Sequence, residues 1–199
     1  RADLCRFLAA CYYQPGPEFT EEKLFDSMVA AAARVGPDFA ARARRLGDAF
    51  TAERPEHLLV DYTRLFLGPV DALAKPYGSV WLEGQQALMQ DSTMAVQQLY
   101  GEGGFEIDDD FRELPDHVAA ELEFLYLLLF REAEAAQKDD HERLAAVTAL
   151  RTRFLSDHLG AWVGPFTTAV AEGAQTPFYR ELAELTRRFV DSETGGGPP

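Results

Sequence analysis

The chain has 199 residues, 47% hydrophobic and 26% charged, and its 33 acidic against 19 basic side chains give a net charge of −14. That length is ample for a sizeable core, and the composition is that of a globular rather than a disordered protein. So acidic a surface repels phosphate backbones, which argues against nucleic-acid binding, and it would attract a basic partner.

In chain order, helical apolar spacing predicts helices at about 2–13, 20–35, 38–53, 55–67, 84–100, 115–137, 140–159, 161–172 and 177–191. The first carries both cysteines, Cys5 and Cys11, whose spacing of six suits neither a disulfide nor a metal clip. Both are expected to pack as small apolar groups, which fits a reducing, cytoplasmic setting. Pro15-Gly16-Pro17 breaks this helix, and Thr20 with Glu21 and Glu22 is expected to cap the second. Gly36-Pro37 then ends it, and Gly68-Pro69 and Gly101-Glu102-Gly103-Gly104 stop the fourth and fifth. Thr176-Pro177 reads as an N-cap followed by proline at the first helical position.

No segment alternates cleanly with period two, so the expected fold is all-α, a single compact bundle of about nine helices over residues 1–191. Residues 192–199 read as a disordered tail. The longest uninterrupted apolar run, Phe124–Phe130, falls far short of the ~20 residues a membrane span needs. No signal-peptide pattern opens the chain, which begins at Arg1 without methionine. Helix 115–137 is apolar on nearly every side over its middle turns and is expected to be central. The long segments 68–83 and 101–114 around it read as loops, and loops of that length tend to carry function.

Three constellations stand out. Glu113-Leu-Pro-Asp116-His117 is followed by Glu121-Leu-Glu123-Phe124. Pro115 suits a first helical position, and His117 has a carboxylate one turn away on each side, which predicts a favoured imidazolium. That arrangement serves either ligand recognition or simple helix capping with a satisfied histidine. Second, Pro76-Tyr77-Gly-Ser-Val-Trp81-Leu-Glu83 can present Tyr77 and Trp81 as a half-exposed platform beside Glu83, suited to an apolar peptide with a cationic end. Upstream of it, Asp61-Tyr62-Thr-Arg64-Leu65-Phe66 supplies Phe66 to the core.

Third, residues 102–123 hold nine acids (Glu102, Glu106, Asp108, Asp109, Asp110, Glu113, Asp116, Glu121 and Glu123) against the single base Arg112, a candidate face for docking a basic partner. Glu113, His117 and Glu121 could instead form a metal-binding face of a helical enzyme, but no Glu-x-x-His pair is present to complete a bundle di-metal site. No nucleophile elbow, P-loop or dinucleotide fingerprint occurs, so neither an enzyme nor a bound cofactor is expected.

Three blocks together resemble the TorD/DmsD family of redox-enzyme chaperones. They are Tyr62-x-x-Leu65-Phe66-x-Gly68-Pro69, then Glu113-x-Pro115-Asp116-His117 with Glu121-Leu122-x-Phe124, and then Trp162 with Phe178-Tyr179-x-x-Leu182-x-x-Leu185. One departure is Tyr77, near where members often carry tryptophan. The resemblance implies a cytoplasmic all-α chaperone, a monomer or homodimer without cofactor. It would bind the twin-arginine leader, or the apo form, of a molybdopterin oxidoreductase subunit and hold it until cofactor insertion. It points to Asp116 and His117, with Tyr77, Trp81 and Glu83, as peptide-binding residues, beside which Glu121 and Glu123 supply acidic contacts. Two alternatives stay open: an assembly factor that binds a subunit without reading a leader, and the metal-dependent enzyme.

Overall fold

The computed structural model describes residues 1–16, 19, 23–68, 71–83, 88, 90–108 and 111–195. Among them run ten α-helices: α1 Ala2–Ala10, α2 Leu24–Val35, α3 Pro37–Ala52, α4 Pro55–Tyr62, α5 Gly78–Leu82, α6 Asp91–Gly103, α7 Val118–Gln137, α8 His141–Asp157, α9 Leu159–Gly173 and α10 Pro177–Glu193. Among these residues no strand forms; the only ladder-like pairing recorded is an isolated antiparallel bridge between Tyr77 and His117.

The central role of α7 follows from its sequence. Leu122, Phe124, Leu125 and Leu128 are fully buried, and α1 and α8 pack along its sides. Trp162, Phe166 and Val163 of α9 join the same core, and α10 is sandwiched between α9 and α3. Cys5 and Cys11 are buried and unpaired, and burial pushes both thiols up, as small apolar fillers require.

Several element ends differ from expectation, each for a local reason. The predicted helix 55–67 passes from α4 into a π-helical turn, Thr63–Leu67, closed by Gly68 at a positive φ of 62° that glycine tolerates. The loop expected over 68–83 contains α5, because Trp81 packs on Phe166 and Gly78 lies against Trp162 of α9. The helix expected over 84–100 begins at Asp91 and runs to Gly103; residues 84–87 and 89 lie outside the described set. The Thr20 cap with Glu21 and Glu22 also lies outside it.

Helix α10 continues two residues into the expected tail. Glu193 is buried, pairs with Arg1 and lies 3.5 Å from Arg151, whose guanidinium also bonds Glu132 at 2.8 Å. This ion-pair network holds the end of α10 against α7 and α8. At the other end of α10, Pro177 occupies the first turn as predicted, but Thr176 caps nothing with its own side chain. Buried Asp61 does the work, accepting the N–H of Gln175 and of Thr176 at 2.9 and 2.7 Å and the Thr176 hydroxyl at 2.8 Å. The Asp61-to-Phe66 block therefore clamps α4 to the start of α10, and Phe66 lies in an aromatic cluster with Tyr12, Tyr62, Phe166 and Tyr179.

Candidate functional site

The Pro-Asp-His block lies one step before α7 rather than inside it. Val118 is the first helical residue, and His117 is the N-cap: its backbone is extended, and its Nδ1 accepts the Ala119 N–H at 3.1 Å. Pro115 and Asp116 thus precede the helix. The reason is the bridge to Tyr77, which draws the chain out: the Gly78 N–H donates to Asp116 O and the Val118 N–H to Pro76 O, both at 2.8 Å. Asp116 reinforces it, its Oδ2 accepting the Ser79 N–H at 2.9 Å.

Burial decides the electrostatics here. Asp116, His117 and Glu121 are 1%, 3% and 0% exposed. The expected imidazolium is overturned: desolvation lowers the His117 pKa to about 3, so the ring is neutral. Glu121 does not reach it; its Oε2 accepts the Trp162 indole N–H at 3.0 Å, and burial raises its pKa well above the usual carboxylate range. Glu113 instead accepts the Tyr77 hydroxyl. Glu113, His117 and Glu121 therefore each engage a different partner, and among the described residues no group of three His, Cys, Asp or Glu is arranged to hold a metal.

The loop residues also have internal duties. Trp81 is half-buried, with its indole N–H on Lys75 O at 2.9 Å. Glu83 is exposed but caps α6, accepting the N–H and hydroxyl of Ser92 at 2.9 and 2.6 Å, bonds that lower its pKa. Of the nine acids in 102–123, Asp116 and Glu121 are internal, Glu102 pairs with Arg153, and Asp109 and Asp110 lie outside the described residues.

What the block does build is a groove of about 290 Å³ beside His117. Tyr13, Phe105, Ile107 and Phe111 wall it, Ala120 and Glu123 come from α7, and Glu106 and Asp108 are the remaining acids along it. The His117 ring stacks on Tyr13 at 6.5 Å and meets the edges of Phe111 at 6.1 Å and Tyr77 at 5.4 Å, so the imidazole is the hub on which these walls are set. Half-buried Glu123 accepts the Tyr13 hydroxyl at 2.8 Å. Its pKa is raised by burial, against the pull of that hydrogen bond. Of the residues named from sequence, Glu123 lines the groove, with Glu106 and Asp108 of the acidic cluster; Asp116, His117, Tyr77, Trp81, Glu83 and Glu121 do not. Tyr13 and the apolar wall of Phe105, Ile107 and Phe111 went unread, because Tyr13 lies about a hundred residues away in the chain from the rest of the groove.

An all-α bundle with an acid-flanked aromatic groove at the start of its central helix is the class of protein described. A model of the nitrate reductase delta subunit family matches residues 33–168, and the chain belongs to that family. Its curated relatives include the Tat proofreading chaperone DmsD of Salmonella typhimurium, 31% identical over 138 residues. They also include the chaperone protein TorD of Vibrio parahaemolyticus, 29% identical over 133 residues. These alignments cover 69% and 66% of this chain, and the chain spans only 61% and 60% of the two relatives. The fold matches the crystal structure of a protein assigned to redox enzyme maturation in Archaeoglobus fulgidus. The TM-score is 0.59 at 19% identity, over 96% of this chain and 93% of that one.

Proposed function

We propose that this protein is a cytoplasmic chaperone that binds the twin-arginine leader of a molybdopterin oxidoreductase subunit and holds the subunit until its cofactor is inserted. The chaperone names of its relatives support the class of activity. The observation that carries the leader reading is the groove beside His117, whose apolar walls and acidic residues complement a segment that is cationic and then apolar. Burial of the apolar part supplies most of the affinity, and the acids supply orientation. In this reading Asp116, His117 and Glu121 act from beneath, shaping the groove, while Tyr77 and Trp81 support the loop that closes the bridge. A client that must later be released suits micromolar affinity, about 8 kcal/mol.

The test is capture of the client from the native host, followed by repetition with its leader deleted. Loss of capture supports leader reading. Undiminished capture would shift the function to an assembly factor that grips the subunit body.

A further inference from the structure

We propose that Glu123 and Tyr13 form the arginine-reading pair of the groove, taking one guanidinium of the leader in preference to a lysine ammonium. The inference rests on the leader-binding reading and names the residues that give it chemical selectivity.

Three observations carry it. First, Glu123 is held in place: its Oε1 accepts the Tyr13 hydroxyl at 2.8 Å, and Tyr13 is fixed by stacking on His117 and by an edge contact with Phe111 at 6.4 Å. A carboxylate offers about four acceptor sites, so this bond leaves capacity for a guest. Second, no base among the described residues pairs with it. Among the described residues neither Glu123 nor Glu106 forms an ion pair, whereas Glu102, Glu132 and Glu193 each have an arginine partner. Burial opposes the charged form of Glu123, and a cationic guest would relieve that penalty.

Third, the surroundings suit a planar cation. Tyr13, Phe105 and Phe111 present rings on which a guanidinium can stack while its forked donors meet the carboxylate. A lysine ammonium is a compact, strongly hydrated charge and loses both advantages. At about 290 Å³ the groove falls just below the usual range for ligand pockets, roughly 300–1,000 Å³. It therefore takes a side chain or two of an extended peptide rather than a whole helix.

The experiment uses two labelled synthetic peptides, one with Arg-Arg followed by an apolar stretch and one with Lys-Lys in its place, titrated by fluorescence anisotropy. Wild type should prefer the Arg-Arg peptide by about tenfold, the low end for hydrogen bonds to a charged group. Glu123→Gln should remove most of that preference while leaving the Lys-Lys affinity within about twofold, and Tyr13→Phe should narrow the ratio. Glu142→Gln, at an exposed acid of α8 that does not line the groove, is the control and should change either affinity by no more than about twofold. Circular dichroism melts check folding; if Glu123→Gln unfolds, the Tyr13→Phe ratio decides, and an unchanged ratio overturns the pair. A wild type that binds both peptides equally, or a folded Glu123→Gln that keeps the full preference, also overturns the pair and leaves leader binding standing. Wild type binding neither peptide removes the leader reading itself.

Discussion

The Asp116 carboxylate accepts the backbone N–H of Ser79 at 2.9 Å, and through it the residue just before the N-cap of the central helix holds the start of α5. Both residues are buried, so water cannot replace the bond. Asp116→Ala is expected to cost about 1–3 kcal/mol. For a chain of this size that lowers Tm by roughly 2–4 °C per kcal/mol. Asp116→Asn keeps an acceptor and should cost less. Urea unfolding of both variants checks the order; an alanine variant with an unchanged midpoint would mean that the two main-chain bonds of the bridge suffice.

His117 makes stability depend on acid. Its folded pKa, about 3, lies below the ordinary histidine value of 6.5, so its contribution is complete above that value and drains as pH falls toward 3. Between pH 7 and pH 5 the loss should reach about 2 kcal/mol. Glu121 and Glu123 are shifted upward, so their contributions have the opposite sign, being present at low pH and lost as pH rises through the folded value. The measurement is therefore the difference between wild type and His117→Asn, a variant that keeps an N-cap oxygen. Parallel stability–pH curves would contradict the assignment.

Gly78 is a glycine for reasons of space. Its φ is not positive, yet a Cβ there would lie 2.9 Å from Trp162 Nε1 and 3.0 Å from Glu121 Oε1. Gly78→Ala should destabilise by about 1–3 kcal/mol through overpacking. Gly101, with nothing near its own Cβ position, is the control, and its alanine variant should be neutral or stabilising. Equal melts for the two variants would refute the packing argument.

Asp61→Ala should cost about 2–4 kcal/mol, because it strands the buried Thr176 amide and hydroxyl together and leaves the Gln175 amide without its acceptor. Native-state hydrogen exchange should show faster exchange at both amides. Protection unchanged from wild type would show that α10 caps itself by another route.

Leader-peptide affinity should fall with salt, but only in part. Exposed charges are screened within about 8 Å at physiological ionic strength, whereas burial in the aromatic groove is not. Titration at low and high salt checks this. Complete loss would reduce the interaction to general charge attraction, and no change would remove Glu106, Asp108 and Glu123 from it.

The sequence by itself determined the all-α class, the buried cysteines, the centrality of α7 and the proline-led start of α10. Each follows from apolar period, glycine and proline placement or residue chemistry, and these act within a turn or two of chain. It also singled out Asp116 and His117, though not what they do. Spacing along a helix predicted a charged imidazole between two carboxylates. Only the tertiary structure decided that the bridge to Tyr77 pulls His117 off the helix, sends Glu113 to Tyr77 and Glu121 to Trp162, and buries the ring neutral. The groove was illegible for the same reason. Tyr13, Phe111 and Glu123 lie about a hundred residues apart at the extremes, and they meet because desolvation and long-range packing, which no local spacing encodes, bring α1 against α7.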